Sequence, residues 1–215
     1  GDHRDLHSFP TRRSSDLEGT AVTAVNLLNA NARLTAEIAR VSGVVPQVAV
    51  VTGTCAGTNA INAAAADVCD MAEDAELFLN APFNAEDKVA NAGSAAFAAK
   101  AGVAAVTAAD AVAAAKQAAS IVALLPANNL AGPALFDFAA PSKALDLVKC
   151  SAADAIAALA DEGSAVELYA GYGKNIVTAL ATINGSAVGI LATEKAALCH
   201  KCTAKAARFV RLCDA

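Results

Sequence analysis

Hydrophobic side chains first recur along this chain with the period of a helix and then with that of a strand. From residue 21 to residue 40 apolar positions return at steps of three and four, which predicts an amphipathic helix that Ser42-Gly43 ends. The continuous run Val-Ala-Val-Val at 48–51 is typical of a strand buried on both faces. A glycine-containing turn at 53–58 then leads into an alanine-rich helical stretch at 59–66.

The alternation of helical and extended segments continues to the end of the chain. In the first part of the chain the pattern predicts an extended piece at 76–79 and helix over 95–125, with a possible strand at 102–106 and a new helix start at 107–110. Further along it predicts a helix at 154–159, an extended piece at 166–169, strands at 175–182 and 187–191, and a helix at 195–212. Asn184-Gly185 is the turn expected between the two strands. Residues 126–129 stop the long helix, and the aperiodic stretch 130–141 predicts a linker between lobes. We therefore predict an α/β protein of two related lobes.

Composition narrows the class of protein. Of 215 residues 59 are alanine, and the apolar fraction is 56% with only 4% aromatics, so the core must rely on close packing of backbones. A net charge of -5, with no basic run beyond Arg12-Arg13, argues against a nucleic-acid surface. Proline, glycine and amides interrupt the uncharged runs 41–66 and 175–193, so we predict no membrane span. No signal-peptide pattern is seen, and cytoplasm is the expected location.

The first eighteen residues differ in character from everything that follows. They contain no alanine, hold His3 and His7, and show no apolar period. The segment closely resembles the conceptual translation of a sequencing-adapter fragment, so we expect residues 1–18 to be a non-native head. The alternative is a natural disordered tail. In both cases the two histidines are poor candidates for chemistry.

The segment that could take part in binding or catalysis is the turn Gly53-Thr54-Cys55-Ala56-Gly57-Thr58 between a strand and a helix. Such a turn points unpaired backbone N–H groups into one small space, aided by the positive end of the helix dipole. The site can hold an anion or a developing oxyanion. It lacks the lysine of a P-loop and the serine of a nucleophile elbow, so from spacing alone a purely structural turn stays an alternative.

Four segments, in order, resemble the biotin-dependent acyl-CoA carboxyltransferases. Ser42 to Gly57 is similar to the family's SGVVPQI, buried strand and GPCAGG; Leu125 to Asn129 resembles LPxNN, which closes its first lobe. Residues 173–190, from Gly-Lys-Asn-Ile-Val to Asn-Gly-Ser-Ala-Val-Gly-Ile, resemble the AKNIIxGxxxxNGxxVGI opening of its second lobe, and Lys205 to Ala215 resembles KAARFxRFCDA. The resemblance covers about residues 21–215. It implies a crotonase-like fold of repeated ββα turns, with residues 19–129 in the first lobe and 142–215 in the second.

The resemblance also implies the chemistry. In this family an acyl-CoA thioester is deprotonated at its α-carbon and takes carboxylate from carboxybiotin; some members run the reverse as decarboxylases. The implied cofactors are biotin, carried on a partner domain or subunit, and the coenzyme A thioester substrate. The implied partners are biotin carboxyl carrier protein, biotin carboxylase and further copies of the chain in a homo-oligomer.

The family's paired backbone oxyanion donors fall here on Gly57 and Thr58. Threonine keeps the N–H but adds a β-branched side chain where the family has glycine. The family's second donor pair and its opening strands have no counterpart in the sequence, so we expect a fragment that is inactive alone. Two alternatives stay open. A crotonase-type hydratase or isomerase would need glutamate beside the helix at 59–66, where none occurs; a degenerate lobe would act only in assembly.

The remaining candidates are cysteines and charges. Cys199 and Cys202 form a CxxC, for which a structural or incidental role, half of a zinc site and redox chemistry are all open; no metal site is predicted. We expect the lone cysteines at 55, 69 and 150 to be small buried hydrophobes. The acidic cluster of residues 67–76 predicts a solvated helix end and turn. Lys174 and Arg208 could meet a CoA phosphate, although a surface or interface role is favoured.

Overall fold

The computed structural model describes residues 24–81, 89, 91–141, 150–194 and 197–214. The helices are α1 Ala24–Val41, α2 Thr58–Ala65, α3 Ala95–Ala101, α4 Ala111–Leu124, α5 Ala152–Leu159 and α6 His200–Asp214. The strands are β1 Val48–Val51, β2 Thr54–Ala56, β3 Val68–Ala72, β4 Glu76–Phe78, β5 Val106–Ala108, β6 Val166–Leu168, β7 Ile176–Ile183 and β8 Ser186–Thr193. The predicted α/β class is confirmed.

The first portion of the chain winds through repeated strand-strand-helix units. In the first two units the leading strand enters one parallel sheet, of order β1-β3-β5, and the second strand enters another, β2-β4. Val48 pairs with Val68 in the first sheet, and Thr54 pairs with Glu76 in the second. This stacking places equivalent turns of successive units above one another, which brings the carbonyl end of β4 beside the turn that starts α2.

The second portion is an antiparallel meander, β6-β7-β8, with α5 and α6 packed against it. The predicted Asn184-Gly185 turn is confirmed: both residues have positive φ, 50° and 76°, as a two-residue hairpin requires. The buried carboxylate of Asp161 accepts hydrogen bonds from the turn's two N–H groups at 3.0 and 2.8 Å and from the Thr182 hydroxyl at 2.6 Å. Burial alone would raise the pKa of Asp161, but these donors outweigh it and hold that pKa below its usual value.

One hydrophobic cluster joins the two portions. It contains Val68 and Ile121 from the first portion and Leu168, Leu180 and Phe209 from the second, all buried. The stretch 130–141 contains no helix and is fixed to the hairpin, where the Phe136 N–H donates to the Gly185 carbonyl at 2.8 Å. The connecting segment therefore runs along a packed surface.

The start of α4 was predicted correctly from the sequence. The side chain of Asp110 caps α4 by accepting from the Ala113 N–H at 2.7 Å, where the sequence predicts a helix start. Other boundaries were wrong. The strand expected at 102–106 forms at Val106–Ala108, because Gly102 ends α3 in the left-handed conformation, φ 77°, where a Cβ would lie 2.9 Å from the Tyr172 ring.

The assignment of the doubly buried strand was also wrong. In the sheet that the described residues form, β1 lies at the edge with Val50 40% exposed, whereas β3, which we did not predict, is buried at every residue. Asp70 lies in β3 with no exposure, so it does not belong to a solvated turn; Glu73 and Asp74, which follow β3, are exposed as expected. Helix α6 begins at His200, after the predicted start at 195; residues 195 and 196 lie outside the described residues.

Candidate functional site

The turn between β2 and α2 has a backbone shape that only glycine adopts easily. Gly57 has φ 63° and ψ -135°, and no heavy atom lies within 4 Å of the position where its Cβ would stand. Its carbonyl accepts the Ala60 N–H at 3.0 Å, which closes the first turn of α2. Thr58 is the first helical residue, so its N–H has no partner within α2 and belongs to the unpaired donors of the helix start.

The two N–H groups of the predicted donor pair differ in their surroundings. The Gly57 N–H donates to the Phe78 carbonyl at the end of β4, at 3.1 Å. Among the described residues no backbone or side-chain acceptor meets the Thr58 N–H, and no side chain caps α2. In this conformation Thr58 supplies an unpartnered donor, and Gly57 supplies one only if it leaves or shares the Phe78 carbonyl. The pairing of the two donors stays a prediction.

A second polar cluster lies where the two portions of the chain meet. Tyr169 has a left-handed φ of 60°, and its N–H donates to the Ala105 carbonyl at 2.6 Å. The Arg208 guanidinium lies over the Tyr169 ring, 5.2 Å from its centroid, and donates to the carbonyls of Ala64 and Ala66 at 3.4 and 3.0 Å. These bonds support the interface role for Arg208; Lys174 is exposed.

Lys205 completes this cluster and was missed as a candidate. The residue is 2% exposed, and its ammonium donates to the carbonyls of Tyr169 and Ile176 at 2.9 and 2.8 Å. Burial lowers the pKa of Lys205, and the nearby Glu167 opposes that shift. An amphipathic period along α6 could have marked Lys205 as an inward position, since Cys202, Phe209 and Lys205 share the buried face.

Asp70 is the most unusual ionisable group of the first portion. Neither carboxylate oxygen has a hydrogen-bond partner among the described residues, and burial raises the pKa of Asp70 to about 6.

A cavity of about 510 Å³ lies elsewhere, at the end of α2 opposite Thr58, between Ala65, Asp67, Arg208 and Arg211. The cavity therefore does not coincide with the candidate oxyanion turn.

The cysteines divide into distinct environments. Cys69 is fully buried and burial raises its thiol pKa to about 12, whereas Cys55 is half-buried and Cys150 is exposed, so the expectation of burial was wrong for Cys150. Cys199 and Cys202 lie with their Sγ atoms 3.1 Å apart. Within the described ranges, no group of three or more His, Cys, Asp or Glu side chains is arranged to hold a metal ion.

No helix in the described part of the chain is long and apolar enough to cross a membrane.

The sequence profile of the carboxyl transferase domain matches residues 12–215, starting inside the segment 1–18 that we expected to be a non-native head.

Two curated relatives illustrate the match. The methylmalonyl-CoA carboxyltransferase 12S subunit of Propionibacterium freudenreichii subsp. shermanii is 31% identical over 196 residues, covering 81% of this chain and 37% of that protein. The propionyl-CoA carboxylase beta chain of Roseobacter denitrificans is 30% identical over 200 residues, covering 81% of this chain and 39% of that protein.

A solved structure agrees with the curated relatives. The transcarboxylase 12S crystal structure, described as a hexamer assembly with methylmalonyl-coenzyme A and methylmalonic acid bound, superposes with a TM-score of 0.78 at 30% identity. The superposition covers 89% of this chain and 41% of that one. The chain thus spans about two fifths of the length of the relatives that it matches.

Proposed function

This chain belongs to the carboxyl transferase domain family of biotin-dependent acyl-CoA carboxylases and transcarboxylases, and from that premise we propose that it moves a carboxyl group between carboxybiotin and an acyl-CoA. Its α/β architecture is the crotonase-like one of the transcarboxylase 12S structure. The observation that carries the proposal is the Gly57–Thr58 turn, which presents an unpartnered N–H at the start of α2.

The geometry fits an anionic oxygen. Deprotonation of the acyl-CoA α-carbon places negative charge on the thioester oxygen, and carboxybiotin supplies the carboxyl group. The Thr58 N–H, reinforced by the α2 dipole, is positioned to donate to such an oxygen, and the open space above Gly57 lets it approach. Because a backbone donor stabilises charge that develops in the transition state, no side-chain nucleophile is needed.

The wider assignments belong to the same proposal. We propose that biotin reaches the site on a carrier protein loaded by biotin carboxylase, and that copies of the chain assemble as a homo-oligomer, as the transcarboxylase 12S hexamer does. A cytoplasmic location is in keeping with six cysteines that form no disulfide.

The position of Thr58 allows its N–H to be removed with little other change. Thr58 is the first residue of α2, where proline fits because its fixed φ suits a helix start and the lost N–H has no helical partner. Thr58→Pro therefore deletes the donor, while Thr58→Ala deletes only the side chain and is the matched control.

The test measures biotin-dependent transfer from methylmalonyl-CoA by the full chain combined with carrier protein. The sequence predicts that the chain is inactive alone; where it does transfer carboxyl in the presence of carrier protein, Thr58→Pro should lower kcat by about 10²–10³, the usual effect of losing one oxyanion donor, and Thr58→Ala should stay within a few-fold of wild type. Equal activity of the proline and alanine variants would exclude the Thr58 N–H. Absence of both transfer and acyl-CoA binding in the wild-type chain would overturn the proposed activity and favour a role in assembly.

A further inference from the structure

The start of α6 holds two sulfur atoms in direct contact. Cys199 immediately precedes the helix and Cys202 lies in its first turn, and their Sγ atoms are 3.1 Å apart. The two thiols differ in access, since Cys199 is exposed and Cys202 has no exposed surface. An exposed and a buried cysteine, separated by two residues at the start of a helix, form the arrangement of thiols that exchange with disulfides.

The helix start also favours the reactive form of the outer thiol. The Cys199 and Cys202 thiols share a hydrogen bond, and this bond, together with backbone hydrogen bonds from Cys202 and Lys201, lowers the pKa of Cys199. A thiolate is the attacking species in disulfide exchange, so Cys199 is suited to attack and Cys202 to resolve the product.

We propose that Cys199 and Cys202 form a redox-active dithiol, separate from the oxyanion turn, that exchanges with low-molecular-weight disulfides. The Cys199 thiolate attacks one sulfur of the external disulfide, forms a mixed disulfide and releases one thiolate. Cys202 then loses its proton to water and its sulfur attacks the Cys199 sulfur, which expels the second thiolate. The protein loses two electrons and two protons, and the external disulfide becomes two thiols.

The surrounding structure says which cysteine moves. The two sulfurs must approach by about 1 Å to reach the disulfide bond length of about 2.05 Å. The backbone of α6 packs closely against Gly173 at this point, because a Cβ on Gly173 would lie 3.0 Å from the Lys201 carbonyl oxygen and 3.1 Å from the Cys202 Cα. Cys199 lies outside the helix, so rotation of its side chain closes the bond while α6 stays in place.

Cys69 and Cys150 each lack one part of this arrangement. Cys69 is inaccessible, and Cys150, although exposed, donates its thiol to the Ser151 carbonyl at 3.2 Å and has no sulfur partner among the described residues. Cys150 is therefore an internal control for an ordinary exposed thiol.

The sequence makes the bond directly measurable. Trypsin cleaves after Lys195, Lys201 and Lys205, so Cys199 and Cys202 fall in different peptides that only a disulfide joins. The purified full chain is equilibrated with mixtures of reduced and oxidised glutathione, alkylated, digested and analysed by mass spectrometry. We expect the linked pair to form, and dithiothreitol to reverse it.

Trapping variants separate the two roles. Cys202→Ser should accumulate the mixed glutathione disulfide at Cys199 roughly tenfold or more over wild type, because the resolving sulfur is gone. Cys202→Ala repeats the test should serine disturb the buried position, and Cys199→Ser should leave Cys202 unmodified. The proposal is overturned if the linked pair never forms, if Cys199 reacts no faster than Cys150 in both trapping variants, or if purified protein retains zinc at these thiols that prevents oxidation.

Discussion

Replacing Gly57 with alanine tests whether backbone conformation, and not space, fixes the candidate oxyanion turn. A Cβ at this position meets no atom within 4 Å, so Gly57→Ala creates no clash and fills no cavity. The cost comes from φ 63° with ψ -135°, a glycine-only combination that costs another residue about 1–3 kcal/mol. Alanine regains about 0.4–1 kcal/mol by restricting the unfolded chain. The middle of each range gives a net loss of about 1–2 kcal/mol.

For a chain of this size that loss lowers the Tm by about 2–8 °C. Gly53→Ala is the matched control, because Gly53 lies in the same turn, also has no atom within 4 Å of a Cβ, and is outside the left-handed region. Alanine there should be neutral or should raise the free energy of unfolding by up to about 1 kcal/mol. Thermal and urea denaturation followed by circular dichroism measure both variants. The reasoning is refuted if the two variants melt together, or if Gly57→Ala melts with wild type.

Three further predictions concern buried ionisable groups. Lys205→Met should lower the free energy of unfolding by about 2–4 kcal/mol in urea denaturation, since two buried carbonyls lose their charged donor; a loss below about 0.5 kcal/mol contradicts this. Because the pKa of Asp70 rises from 3.8 to about 6 on folding, wild-type stability should fall as pH rises through that window, and melts of Asp70→Asn at several pH values should lack this fall. Asp161→Ala should speed hydrogen exchange at both N–H groups of the β7–β8 turn, which lose their acceptor; unchanged protection would argue against the anchor.

Where a few adjacent residues decide the backbone, the sequence predicted the structure closely. Asn184-Gly185 demands a tight hairpin turn, and the flanking strands formed within two residues of their predicted ends. Asp110 likewise caps α4 through a bond to a residue three positions away. The order of α/β units and the family motifs followed from the same local patterns.

Two of the misses depend on distant parts of the chain. β3 escaped because Asp70 interrupts its apolar pattern, and β3 is buried by the strands on both sides of it and by α4. The Gly57 N–H was expected to be free, yet β4 supplies an acceptor for it from 21 residues along the chain, at Phe78. Neither pairing leaves a local mark, because parallel strands are joined through long connections.

The left-handed Tyr169 has a consequence for how the molecule responds to a break in its chain. Its N–H, its ring and its carbonyl are bound by Ala105, Arg208 and Lys205. Arg208 in turn holds the end of α2, 144 residues away in sequence. These bonds do not pass through the 130–141 connection, so we expect the two pieces of a chain nicked there by a protease to stay together as a non-covalent pair.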